Sequence, residues 1–247
     1  MVEPQLGPPG TYRPQYTFRR RGFVRVLNRF PRFKAWLADV VRGALGRVFA
    51  PGMVTTERVV EYPFVFQNLD GVTGPILDIG CCGSGLPISL ASRGFRVFGL
   101  DFNPYPFRHP NFRAIRGDAM RCPFRTGGFG AVLAISVIEH LGVGHYGDPA
   151  AAAGDRIAVR EIARLLRPAG LAVITVPFGV ARTDDFQRVY DPPRLAALLA
   201  PFSVIRIEYA WSREGLWMPC TEAEAAMVDW AGPNRAVALV VATVPGG

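Results

Sequence analysis

Thiols, imidazoles and amines are scarce in this chain. Its four cysteines, Cys81, Cys82, Cys122 and Cys220, show no Cys-x-x-Cys spacing and so give no sign of a metal site, and no metal is expected. Adjacent Cys81 and Cys82 are poorly placed to bridge each other and read as small buried hydrophobes. No apolar run is long enough to cross a bilayer, and no signal peptide is present. The expectation is a cytoplasmic protein, with contact at the inner face of the membrane as a variant. Internal repeats and low-complexity tracts are also lacking. A single lysine, Lys34, stands among 28 basic residues, which suggests a GC-rich coding bias and drains meaning from the choice of arginine.

The 247 residues suffice to bury one large core. Apolar strand runs alternate with helical stretches, so the fold class is α/β with a mostly parallel sheet and helices on both faces. The most informative segment is residues 76–101. A strand over Pro75–Ile79 enters a small-residue turn at Gly80–Gly85. A helix follows over Leu86–Ser92, and a second strand over Arg96–Leu100 ends at Asp101. This is the first half of a nucleotide-binding βαβ unit. Gly80, Cys81, Cys82 and Gly83 let a ligand approach the backbone, and the helix start offers free N–H groups. Asp101 and Phe102 follow the second strand, where a carboxylate accepts both hydroxyl hydrogens of a ribose.

Asp78 separates this turn from a dinucleotide site. A carboxylate two residues before the first glycine repels a diphosphate. It welcomes a ligand with a cationic end and no phosphate, such as S-adenosyl-L-methionine. Here the chain resembles the Rossmann-like class I SAM-dependent methyltransferases, whose first motif reads roughly Leu-Asp-x-Gly-x-Gly-x-Gly. Asp101 follows Asp78 by 23 residues, as that family requires. Cys82 and Ser84 stand where the second and third glycines are usual.

Three more motifs resemble the family in order. In Ile115–Ala119 the resemblance assigns Asp118 and Ala119 to the adenine. In Phe129–His140 it assigns Ile135 and Ser136 to the cofactor, with Gly130 replacing the usual Asp. Leu165–Pro177 resembles the helix, turn and fifth strand, with Ala169 for the commoner Gly. The resemblance spans roughly residues 55–245 and implies a last strand that runs antiparallel. Helix Leu195–Leu199 and strands Phe202–Tyr209 and Ala236–Val244 are expected near that edge. A narrower resemblance rests on Glu61–Phe64, Pro104–Asn111, Ile138–Gly147, Gly154–Asp155 and Val176–Gly179. It points to a bacterial group associated with surface-polysaccharide or specialised-metabolite genes.

The implied chemistry moves a methyl group from sulfonium to a nucleophile. A hydroxyl acceptor also needs a base. Glu139, His140 and His145 follow the fourth strand and are the candidate catalytic residues, since imidazole titrates near neutrality. Tyr146, Arg188 and Tyr190 are candidates for holding the acceptor. The alternative for Arg188 and Tyr190 is a loop anchored by a salt bridge and a buried ring. The expected acceptor is a hydroxyl of a glycan or small metabolite. An RNA methyltransferase and a non-catalytic scaffold are the alternatives. The first lacks an Asn/Asp-Pro-Pro-Tyr-type motif after the fourth strand.

Residues 1–50 hold nine arginines, Lys34 and two acids, Glu3 and Asp39, which accounts for the whole net charge of +8. Domain organisation is therefore read as a basic arm and capping helix over 1–50, then a methyltransferase domain over 51–247. Arginines interleave with Phe18, Phe23 and Phe30, and a helix is expected from Pro31 to about Phe49. A cap on the cofactor cleft is one reading of this arm. Weak contact with an anionic membrane surface through residues 17–49 is another, and nucleic-acid binding ranks below both.

Overall fold

The structure is a computed structural model that describes residues 56–145 and 151–245. The basic arm, its expected helix and Tyr146 lie outside the described residues. Five helices and ten strands follow in order. They are α1 (Arg58–Asn68), β1 (Ile76–Ile79), α2 (Leu86–Ser92), β2 (Val97–Asp101), β3 (Phe112–Arg116) and β4 (Phe129–Ile135). A single 3₁₀ turn over Ile138–His140 precedes α3 (Gly154–Leu165) and β5 (Leu166–Pro177). Then come β6 (Arg182–Thr183), β7 (Arg188–Val189), α4 (Pro192–Leu198), β8 (Ser203–Arg213), β9 (Leu216–Cys220), α5 (Glu222–Ala226) and β10 (Arg235–Thr243).

The main sheet has eight strands in the order β3-β2-β1-β4-β5-β10-β8-β9. The five strands β3, β2, β1, β4 and β5 pair in parallel. Burial dictates this part. Every residue of β1 and of β4 is buried, the pattern of strands covered on both faces. The final strand β10 is antiparallel, as expected, and sits between β5 and β8. The edge strand β9 was not expected. Glu214 and Gly215, at φ 53° and 79°, turn the chain so that Arg213 pairs Leu216. Two successive positive φ angles are what a tight hairpin needs, and Gly215 supplies one of them without strain.

Alternation along the strands sorts side chains to two faces. Leu77, Ile79, Val132 and Ala134 join α3 and α4 on one face. Ile76, Ala131, Leu133, Ile135 and Val173 join α1 and α2 on the other. By the same period, Asp78 and Thr175 fall on the α1 side. Helix starts are set locally. Pro87 opens α2, Asp191 caps α4 by accepting from Arg194 N at 2.9 Å, and Thr221 with Glu224 forms a capping box on α5.

Gly130 has a structural cause. A Cβ there would lie 2.0 Å from the Thr73 carbonyl oxygen, so the crossing loop has no room for an aspartate. Ala169 occupies the left-handed region at φ 59°, where glycine is at ease and alanine is strained.

Candidate functional site

A cavity of about 670 Å³ opens along the carboxyl ends of the parallel strands. This is where open α/β sheets bind ligands. At one end its wall is Asp101, Phe102 and Asn103 after β2, with Gly117 and Ala119 after β3. In the middle lie Gly80, Cys82, Gly83, Ser136, Glu139 and Arg58. The far end is built from Pro177, Phe186, Gln187, Trp230, Arg235 and Val237.

The first-motif turn is shaped by glycine. Gly80 sits at φ 72°, and a Cβ there would come 2.3 Å from Val137 Cγ2. Gly83, at φ 78°, faces open space. Asp101 Oδ2 accepts from Cys82 N at 2.8 Å, and Oδ1 accepts from Asn103 N at 2.8 Å. The carboxylate thus braces the turn, and each oxygen keeps a second lone pair for a diol. Cys81 is buried, borders a smaller cavity of about 330 Å³ and has its thiol pKa pushed up chiefly by burial. Asp118 does not line the main cavity, although Gly117 and Ala119 on either side do. Its Oδ1 accepts from Met120 N at 2.8 Å. Ile135 is buried beneath the wall, while Ser136 forms part of it at φ 47°.

Asp78 is 3% exposed, and its Oδ2 has no hydrogen-bond partner. Burial raises its pKa to about 7. Arg58 opposes that shift and Asp101 adds to it. Glu139 is 2% exposed, its Oε2 is likewise unpartnered, and burial drives its pKa well above the usual carboxylate range. Of these two orphaned carboxylates, Glu139 lines the cleft, while Asp78 is buried two residues before Gly80, which lines it. Buried acceptors of this kind are rare without a reason.

Sequence reading gave no role to α1, yet it supplies the densest polar network here. Glu61 is fully buried and accepts from Ser136 Oγ at 2.5 Å, Thr175 Oγ1 at 2.6 Å and Arg58 Nη1 at 2.6 Å. Arg58 Nη1 also donates to the Ile135 carbonyl at 3.1 Å. One helix thereby pins the ends of β4 and β5. The acid was visible in the sequence, but its partners stand 75 and 114 residues away.

Of the catalytic candidates, Glu139 and His140 line the cavity and His145 does not. The His145 ring packs edge-on against Phe186 at 4.8 Å. His140 Nδ1 lies 2.7 Å from the Phe186 carbonyl oxygen. A carbonyl only accepts, so Nδ1 carries the proton and a neutral ring has its lone pair on Nε2.

The acceptor candidates Arg188 and Tyr190 are both buried, and neither lines the cavity. Arg188 Nη1 donates to the Leu141 and Glu139 carbonyls at 2.7 and 3.3 Å, and Nη2 to those of Ala151 and Ala152 at 3.4 and 3.5 Å. Tyr190 donates to Asp155 at 3.0 Å, and Arg188 Nε lies 3.7 Å from the same carboxylate. Of the pair, Arg188 ties the backbone at Glu139 and Leu141 to that at Ala151 and Ala152. The salt-bridge and buried-ring reading describes them, because their polar atoms are already engaged. Phe186, Gln187, Trp230 and Arg235 occupy the far wall instead. No motif flags them, since they come from short connections that only the sheet order brings together.

Residues 77–174 match the family described as a methyltransferase domain. No curated protein sequence matches the chain. Among solved structures, the N-methyltransferase NodS from Bradyrhizobium japonicum WM9, in complex with S-adenosyl-L-homocysteine, is similar at TM-score 0.56 and 14% identity. That likeness covers 80% of this chain and 91% of the other. A SAM-dependent methyltransferase from Methanosarcina mazei is similar at TM-score 0.53 and 16% identity, over 74% of this chain and 98% of the other. The [4+2]-cyclase SpnF is similar at TM-score 0.52 and 15% identity, over 75% and 81%. With its mostly parallel sheet and antiparallel β10, the described chain has the Rossmann-like class I methyltransferase fold.

Proposed function

We propose that this chain is a SAM-dependent methyltransferase that methylates a hydroxyl group of a small metabolite or glycan. The observation that carries the reading is a pair of orphaned oxygens, Glu139 Oε2 on a residue that lines the cleft beginning at Asp101, and Asp78 Oδ2 buried two residues before Gly80 of the same wall. A ligand with an ammonium and a sulfonium answers both, and a dinucleotide diphosphate answers neither. S-adenosyl-L-methionine fits, and it supplies a methyl group on an already good leaving group. Asp101 would hold the ribose, with Phe102, Gly117 and Ala119 around the adenosine. The Nε and Nη2 edge of Arg58 would take the carboxylate of the amino-acid end, while Nη1 stays on Glu61.

The chain's own work is positioning and proton removal. Holding two reactants in line is worth several kcal/mol on its own, about 7 at the lower end. His140 Nε2 accepts the hydroxyl proton, and the Phe186 carbonyl fixes the tautomer. Base catalysis of this kind contributes roughly 10²–10⁴-fold. The test is calorimetry with S-adenosyl-L-homocysteine and with NADH, followed by transfer of labelled methyl from S-adenosyl-L-methionine to hydroxyl acceptors. Binding of the homocysteine and not of NADH is expected. The reverse pattern overturns the reading.

A further inference from the structure

We infer that the far end of the cleft selects an acceptor that carries a carboxylate beside its ring, and that Arg235 reads it. The inference rests on the methyltransferase reading and goes on to name the acceptor's chemistry. Arg235 opens β10 and lines the cavity. Nη1 donates to the Gly232 and Asn234 carbonyls at 2.5 and 2.8 Å, which engages both of its hydrogens. The guanidinium lies over the Trp230 ring, 5.0 Å from its centroid, and Trp230 Nε1 donates to the Phe178 carbonyl at 3.0 Å. The cation is thus fixed before any ligand arrives.

Two arginines line this cavity. Arg58 is paired with Glu61, whereas Arg235 has no carboxylate partner among the described residues. What remains of Arg235 is its Nε and Nη2 edge, the fork that grips a carboxylate through two parallel bonds. Trp230 and the half-exposed Phe186 offer flat apolar surface beside it, suited to a ring.

Sheet order places the group. Four strand steps separate β2 from β10, or about 19 Å at ~4.8 Å each. The adenosine starts at β2, and the reacting methyl falls near β4, beside Glu139 and His140. Two steps, about 10 Å, then lead from β4 to β10. The acceptor's carboxylate therefore lies up to about 10 Å from the hydroxyl that is methylated, a span that a hydroxyaryl acid fills and a uronic acid fills only in part.

The probes are 4-hydroxycinnamate and D-glucuronate, each titrated against its own neutral amide into the full chain loaded with S-adenosyl-L-homocysteine. At least one acid is expected to bind tenfold or more tighter than its amide. The ring that does so separates a hydroxyaryl acid from a uronic acid. Arg235→Gln should abolish that preference, and Arg235→Lys should keep only part of it. Unchanged homocysteine affinity and melting temperature in both variants show that the site is otherwise whole. Equal binding of acid and amide by the unmodified protein, or a preference that survives Arg235→Gln, overturns the inference. A chain that does not bind the homocysteine at all overturns the methyltransferase reading itself.

Discussion

Burial holds Asp78 in its protonated form up to about pH 7, with one carboxylate oxygen unpartnered. Its pKa is higher in the folded state than in the unfolded chain, so the folded state binds more protons across that window. Stability without ligand should therefore fall as pH rises from about 4 to 7, with Glu61 and Glu139 adding in the same direction. Asp78→Asn should flatten the curve, leaving the ligand-free variant more stable than the parent at pH 8. The same change should weaken S-adenosyl-L-methionine at least tenfold by removing a charge that faces its cations. Denaturation at pH 5 and pH 8, with calorimetry at pH 8, checks both. A parent whose stability rises over that window would rule out a buried, raised carboxylate. His140→Gln belongs to the same scale. It should lower kcat by roughly 10²–10⁴-fold with little change in homocysteine affinity, since the ring acts on the acceptor.

At the scale of elements, one carboxylate of α1, Glu61, joins the helix to the ends of both β4 and β5. Glu61→Ala would strand Ser136 Oγ, Thr175 Oγ1 and Arg58, and removing one partner of a buried pair costs about 3–5 kcal/mol. Chemical denaturation should show that loss, and Glu61→Gln should recover part of it because an amide oxygen still accepts. Ala169 offers the opposite case. Alanine in the left-handed region costs roughly 1–2 kcal/mol, partly offset by its stiffer unfolded chain. Ala169→Gly should raise stability by about 0.5–1 kcal/mol without touching the cleft. The central strands were legible in the sequence because each is a mostly apolar run with glycine or an acid close by. The positions of Asp78, Gly80 and Asp101 followed from the spacing of one local turn. Glu61, Trp230 and Arg235 were not legible as site residues, because their roles depend on strand order and on partners far along the chain. Arg188 and Tyr190 look the same in sequence whether they meet a ligand or clamp a loop, and only burial separates the two.

The molecule as a whole divides by charge. The net +8 lies in residues 1–50, while the remainder is neutral. Among the described residues no helix is long and apolar enough to cross a membrane. Attraction of the basic segment to an anionic membrane surface would be electrostatic. Exposed charges are screened over about 8 Å at physiological ionic strength, so such contact should be strong only at low salt. Among the described residues, both core clusters and the cleft walls fall within residues 57–244. A chain that begins at residue 51 is expected to fold and to bind S-adenosyl-L-homocysteine. Co-sedimentation with phosphatidylserine vesicles at low salt should be seen for the full chain, should weaken sharply toward physiological salt, and should vanish in the shortened one. Homocysteine affinity and melting temperature measured on the same two proteins decide the other role. If both fall when residues 1–50 are removed, the segment caps the cleft. If neither moves while sedimentation is lost, it serves the membrane surface alone.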